Sequence, residues 1–309
     1  MVKDIQRGWR ALIVALAVAG TGGAAAAVQQ TFRSGVDLVY FGLAVTDKQG
    51  TPVTGLKAED FEVMEDGKPQ TISFFNVGDP DTAPPLHIGF VLDTSGSMEE
   101  DLKDVRTAAI KFLNRMDAAV DITLVDFDTE VRTSRYTAND YPRLIERIRM
   151  RSRADGYTAL YDALGTYLNR AAELTGQKIM IMYTDGGDNR SKITFSEVID
   201  LLRASDVTVY VLGYLEHQSS SGKIEQQLQL QRFADTTGGQ AFFPSSIKEV
   251  DKLYERIDHE ISARYNIGYT STNAGTDGRW RDVRIRLKRP DLKGLKVRTR
   301  QGYFAPYQK

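Results

Sequence analysis

Residues 86–98 read LHIGFVLDTSGSM, and this stretch decides the fold. Its first seven residues are almost unbroken apolar, which suits a strand buried on both faces. Residues 120–125 (VDITLV), 179–183 (IMIMY) and 207–212 (VTVYVL) repeat that pattern. Helical spacing lies between them. Leu102, Val105, Ala109 and Phe112 recur at steps of three and four, and Leu160, Leu164 and Leu168 at steps of four. Further helices are predicted over 195–204, 224–234 and 247–262. Strand and helix in alternation imply an α/β fold, with a doubly wound, mainly parallel sheet and helices on both faces, Rossmann-like. Residues 129–136 (TEVRTSRY) follow a strand after a short turn and predict an antiparallel edge strand.

In an open α/β sheet, ligands gather beyond the carboxyl ends of strands, where strand order reverses. Asp93 stands at such an end. Ser95 and Ser97 follow two and four residues later, in a loop that Gly96 lets bend tightly. One carboxylate and two hydroxyls can then point to one place. All are hard oxygen donors, suited to Mg²⁺, Mn²⁺ or Ca²⁺. Taken alone, the same stretch is equally a helix N-terminus, since Asp, Thr and Ser cap helices well and a helix begins near Glu99. Two more segments bear on the choice. GYTALYDAL at 156–164 puts Thr158 at the mouth of a helix, and TDGGDN at 184–189 puts Asp185 at a second strand end.

Together the three segments resemble the metal-ion-dependent adhesion site of von Willebrand factor A (VWFA) domains: Asp-x-Ser-x-Ser, a distant Thr, and a distant Asp before Gly. The resemblance implies that Asp93, Ser95, Ser97, Thr158 and Asp185 hold a divalent cation, directly or through water. It implies Mg²⁺, with Mn²⁺ or Ca²⁺ as substitutes. It also implies a protein ligand whose Asp or Glu carboxylate completes the coordination, hence cation-dependent adhesion or assembly and no enzyme activity. Tyr157 stands where relatives commonly carry glycine, and either covers the site or is a plain surface tyrosine. Asp126 and Asp128 either hold metal-bound water or are turn residues. Asp188 reads as a loop cap.

Outside this unit the signals are strands and tight turns. Asp66-Gly67 is a hairpin turn, because both residues tolerate positive φ, and 71–75 (TISFF) is its predicted return strand. Strand signals come back at 265–270, 280–287 and 295–299. Neither flank is long enough for a sandwich of its own, so the two are expected to form one β-sandwich-like domain. The organisation predicted is an N-terminal β segment at 28–78, a linker at 79–85, the VWFA domain at 86–264 and a C-terminal β segment at 265–309. The flanks, with VTDKQG at 45–50, EDGKPQ at 65–70 and RQGYF at 300–304, resemble exported bacterial VWFA-related proteins of acidobacterial type.

Lys3, Arg7 and Arg10 accompany an apolar run at 11–19, Gly20 and the small residues 24–27. That is the layout of a secretory signal peptide at 1–27, with an apolar core short of the ~20 residues that a membrane span needs. The expected location is periplasmic, cell-envelope or secreted, with no membrane span once the leader is cleaved. Net charge is −1 over 309 residues, so no field favours nucleic acid. The absence of cysteine excludes disulfides, thiolate metal sites and a cysteine nucleophile. His87, His217 and His259 stand in no context that would activate a serine. The enzymatic alternative is a metal-assisted, phosphatase-like hydrolase using Asp93 as nucleophile. It would want a second acid and a base at the strand ends, and position 95 is serine. QQLQLQ at 226–231 reads as part of an amphipathic helix with Leu228 inward. RWRDVRIRLKR at 279–289 reads as a half-exposed strand with its charges outward.

Overall fold

The computed structural model describes residues 38–77, 82–98, 101–150, 156–216 and 218–307. The leader expected at 1–27, residues 79–81 of the linker and His217 lie outside the described residues. Four strands come first: β1 (Leu38–Thr46), β2 (Phe61–Glu65), β3 (Lys68–Gln70) and β4 (Ile72–Val77). The α/β unit follows as β5 (Leu86–Asp93), α1 (Leu102–Leu113), β6 (Ala119–Phe127), β7 (Val131–Thr137), α2 (Tyr141–Arg149) and α3 (Leu160–Ala171). It continues as β8 (Gln177–Thr184), α4 (Phe195–Ala204), β9 (Val207–Gly213), α5 (Ser220–Thr237), β10 (Gln240–Phe242) and α6 (Val250–Ser262). The chain closes with β11 (Tyr265–Thr270), β12 (Trp280–Leu287), β13 (Lys296–Arg298) and β14 (Gly302–Phe304).

The central sheet has the order β10-β9-β8-β5-β6-β7. All neighbours are parallel except β7, which runs antiparallel to β6 at the edge. β5 lies between β8 and β6, so the strand order turns back at β5. The carboxyl ends of these three strands therefore border the switch point of the sheet. One face packs α1 and α6 around Phe90, Phe112 and Tyr254, and the other packs α3, α4 and α5 around Val91, Leu164, Tyr167 and Phe233. Gly89 in β5 is a steric requirement, because a Cβ there would sit 2.2 Å from the Tyr167 ring. No helix among the described residues is long and apolar enough to cross a membrane.

The flanks form two antiparallel sheets, β13-β1-β11-β4 and β14-β12-β2-β3. Each draws strands from both ends of the chain. Between them lies one core, with Phe41, Leu43, Phe61, Val63, Ile267, Tyr269 and Val283 at its centre. The α/β unit is an insertion: Val77, which ends β4, is the pairing partner of Tyr265, which begins β11.

Three local expectations are corrected. The turn at Asp66 and Gly67 has φ of 48° and 78°, as a two-residue hairpin loop requires. It pairs β2 with Lys68–Gln70, whereas Ile72–Val77 leaves to pair with β11 in the other sheet. Leu228 points outward and is 67% exposed, while Leu230 is the residue turned into the core. In β12, Arg284 and Arg286 face outward but Arg281 is buried, donating to Asp277 Oδ1 at 2.8 Å and to the Gly275 carbonyl at 3.1 Å.

Glu65, 1% exposed, holds the flank core by accepting three hydroxyl protons: Tyr269 at 2.8 Å, Tyr303 at 3.0 Å and Ser271 at 2.6 Å. Glu65→Ala would strand the Tyr269 and Tyr303 hydroxyls and leave Ser271 only the Asn273 carbonyl at 3.3 Å, at a cost of about 3 kcal/mol. Glu65→Gln keeps an acceptor and should cost distinctly less. Urea unfolding of both variants tests this; a Glu65→Ala midpoint equal to the parent's would refute it.

Candidate metal centre

Asp93 ends β5 and is wholly buried. Its Oδ1 accepts the Ser95 N–H at 3.0 Å, and its Oδ2 accepts the hydroxyl proton of Thr184, the last residue of β8, at 2.6 Å. Burial pushes the Asp93 carboxyl up, and the negative charge of Asp185 pushes it further, to about 7; the donors at Thr184 and Ser95 hold it down. The next turn, Gly96–Met98, is a single turn of 3-10 helix anchored by buried Met98. It brings the Ser95 and Ser97 hydroxyls within 3.3 Å of each other. Thr94 fixes the loop to the end of β6, donating its N–H and its hydroxyl to the Phe127 carbonyl at 2.8 and 2.9 Å.

Asp185 follows β8. Its Oδ1 accepts the Gly187 N–H at 3.1 Å and its Oδ2 the Gln218 side-chain amide at 3.0 Å. Gly186 takes a φ of +83° that opens this turn, and its N–H donates to the Thr184 hydroxyl oxygen at 3.1 Å. Thr158 comes from the loop before α3. Its N–H donates to Asn189 Oδ1 at 2.8 Å, and its carbonyl accepts from the N–H of Asn189 at 3.0 Å and of Arg190 at 3.1 Å. Thr158 is thus tied to the loop that carries Asp185. Its hydroxyl makes no hydrogen bond among the described residues, so its oxygen is uncommitted.

The contacts join Asp93, Ser95 and Ser97 directly, couple Asp93 to Asp185 by charge, and bring Thr158 in through Asn189. Among the described residues no group of three or more His, Asp or Glu side chains is placed to hold a metal. A cation here would depend on hydroxyl oxygens as well as on two carboxylates, which is the chemistry of a hard ion.

Other acids nearby have different duties. Asp126 accepts from Arg132 Nε at 2.7 Å and from Arg147 at 2.8 and 2.9 Å. Asp128 accepts two bonds from Arg132, at 3.0 and 2.9 Å. Burial raises the Asp128 carboxyl, but its bonds with Arg132 outweigh this and leave it below the ordinary carboxylate range. These acids brace the loop from the β6–β7 side, where Arg132 also reaches the Thr94 hydroxyl at 3.4 Å. Asp188 accepts the Tyr161 N–H at 2.9 Å and the Ser191 hydroxyl at 2.6 Å, so it caps the start of α3. Tyr157 is 55% exposed. His87 lies at the opposite end of β5, between Asp121 and the Thr175 carbonyl. The roles of Thr184, Asn189 and Gln218 are not legible in the sequence, because they arise only where separate loops meet.

Asn189→Ala should release the Thr158 amide while leaving the sheet intact. The lost hydrogen bond is worth ~1 kcal/mol, so amide exchange at Thr158 should speed up by about fivefold. Unchanged protection of that amide would count against the coupling of the two loops.

The von Willebrand factor type A domain family matches residues 87–256, more than half of the chain. Among solved structures, the PilB minor pilin from Streptococcus sanguinis is 13% identical, with a TM-score of 0.47; the match covers 58% of this chain and 62% of that one. This chain therefore spans less than two thirds of that pilin. A von Willebrand factor type A protein from Catenulispora acidiphila is 13% identical over 90% of this chain and 76% of its own, with a TM-score of 0.48. The pilus adhesin SpaC from Lactobacillus rhamnosus GG, in its open conformation, is 12% identical over 82% of this chain and 49% of its own, with a TM-score of 0.49. Among curated proteins no sequence matches.

Proposed function

The chain belongs to the von Willebrand factor type A domain family, and from that premise we propose that it is an exported, divalent-cation-dependent protein-binding module. Asp93, Ser95, Ser97, Thr158 and Asp185 would hold the ion, with Mg²⁺ the best match and Mn²⁺ or Ca²⁺ able to replace it. Bound there, the cation would supply an open coordination position for an Asp or Glu carboxylate of a protein partner.

The observation that carries this reading is the carboxylate pair. Asp93 is sealed from water and faces the charge of Asp185, and the groups that steady it, Thr184 and Ser95, are neutral. Two acids held so close in a dry site favour a cation between them or a proton on one of them. The surrounding residues have positioning work. Thr184 fixes the Asp93 carboxylate, Gln218 and Gly187 orient Asp185, and Asn189 presents Thr158. Binding suits this arrangement better than phosphoryl transfer, because Arg132, the cation that reaches Thr94, is committed to Asp126 and Asp128. Export rests on the leader-like layout of residues 1–27, and the envelope or the cell exterior is the proposed location.

In chelator, Asp93→Asn should unfold no earlier than the parent, because the substitution removes a buried like-charge contact. With Mg²⁺ at a hundred times its dissociation constant, the parent alone should gain about 2.7 kcal/mol. Calorimetric titration with Mg²⁺ and thermal unfolding with and without EDTA measure both effects. A parent protein that takes up no Mg²⁺, Mn²⁺ or Ca²⁺ would sink the proposal.

A further inference from the structure

A second candidate site lies away from the metal centre, where the last turns of α4 and α5 meet the outer face of the β14-β12-β2-β3 sheet. Trp280 opens β12 and pairs with Phe304 of β14. Their rings meet edge to face, 5.1 Å apart at 71°. Gly302 makes room for the indole: a Cβ there would stand 2.6 Å from the Trp280 ring and 2.1 Å from the Arg281 carbonyl oxygen. The indole is thus set against the strand backbone, with Phe304, 47% exposed, as its neighbour. Together they form one wall of a cavity of about 330 Å³.

The opposite wall is polar. Arg203 comes from the last turn of α4, and Arg232 and Asp235 from the end of α5. Asp282 stands two residues after Trp280 on the same face of β12, and Gln301 closes the rim. Among the described residues neither Arg203 nor Arg232 has a side-chain hydrogen bond or ion pair, and the Trp280 N–H and the Gln301 side-chain amide have no partner. Each carboxylate has one oxygen engaged: Asp282 Oδ1 accepts from Arg284 at 3.0 Å, and Asp235 Oδ1 from Gln231 at 2.7 Å. The second oxygen of each is open. Two guanidinium groups and two carboxylates leave the lining without net charge.

We propose that this cavity is a binding site for a neutral saccharide. A pyranose ring has an apolar face of C–H groups, which seats on an aromatic ring, and an edge of neighbouring hydroxyls. Planar Arg, Asp and Gln side chains can each bond two such hydroxyls at once, as donors, acceptors or both. An aromatic wall facing a few convergent polar groups is the general form of a small-molecule site, and the volume is at the small end of that range. The balanced charge disfavours nucleic acid, whose affinity depends on a surplus of cations.

The sequence supplies a reporter, because Trp9 and Trp280 are its two tryptophans. In a Trp9→Phe full-length chain, all tryptophan emission comes from Trp280. Titration with oligosaccharides of glucose, galactose and N-acetylglucosamine should give, for at least one, a saturable change in emission with a matching calorimetric heat. Arg232→Ala and Asp282→Ala, both surface changes that circular dichroism can clear of misfolding, should weaken it tenfold or more. EDTA should leave it unchanged, which separates this site from the metal centre. The inference is overturned if no neutral sugar gives either signal, if polygalacturonate alone binds, or if both variants bind like the parent.

Discussion

The hydrogen bond from the Thr184 hydroxyl to Asp93 is the constraint on which the rest of this molecule turns. A carboxylate at the end of a central parallel strand cannot reach bulk water, so its oxygens must be satisfied by the protein. Thr184 serves one oxygen from β8, and the Ser95 N–H serves the other from the loop that Asp93 itself begins. Two strand ends and a loop are thereby fixed relative to one another. The Thr184 oxygen also accepts from Gly186, so the turn that aims Asp185 hangs on the same hydroxyl. Position passes outward from this contact to the Ser95–Ser97 turn and to the 184–190 loop, and through Asn189 to Thr158.

The neighbouring acids show why the central pair stands apart. Asp126 and Asp128 are neutralised by Arg132 and Arg147. Asp188 and Asp162 accept backbone N–H groups around the start of α3 and from Lys192 and Ile193, where a helix N-terminus favours negative charge. Asp93 and Asp185 have only neutral donors and repel one another. That unresolved repulsion is the feature a divalent cation would relieve.

Much of the fold was legible because β5, β6, β8 and β9 are buried on both faces and so appear as apolar runs. The bounds of α4 coincide with the predicted 195–204, since Thr194 and Glu197 cap it reciprocally and Ser205 ends it. Legibility fails where a pattern is short or degenerate. Helix α2 turns only Leu144 and Ile148 inward, and β10 is three residues long. In 226–231, Leu228 and Leu230 cannot both face the core of a helix. The stripe that decides between them, Leu230, Phe233, Ala234 and Thr237, runs past the end of that segment. The hairpin fixed its own register through Asp66-Gly67, yet the return strand changed sheets after Gln70, which only the tertiary pairing with β11 dictates. In the candidate site, contiguous motif residues were visible, whereas Thr184, Asn189 and Gln218 owe their roles to loops far apart in the chain.

The insertion of the α/β unit between β4 and β11 has a mechanical consequence. Arg264, at the junction, donates to Thr208 at 3.0 Å and to the Tyr210 hydroxyl at 3.1 Å, both in β9. Tyr210 in turn donates to buried Glu260 of α6, which accepts from Arg298 of β13. Arg298 also bonds the Gly239 carbonyl at 2.7 Å, and Gly42 of β1 has no space for a side chain beside Arg264. Strand β9, helix α6 and the flanking sheet are therefore joined by one polar chain. Sliding α6 along its axis would part Glu260 from Tyr210 and Arg298 and leave a carboxylate buried without partners, at a cost of about 3–5 kcal/mol. The flank thus acts as a brace: it holds the far end of α6, while the same helix lays Tyr254 and Ile257 against the core beneath β5. Any displacement of α6 would have to overcome that brace, so the placement of the strand ends around Asp93 is fixed by the same contacts that tie the flank to the α/β unit.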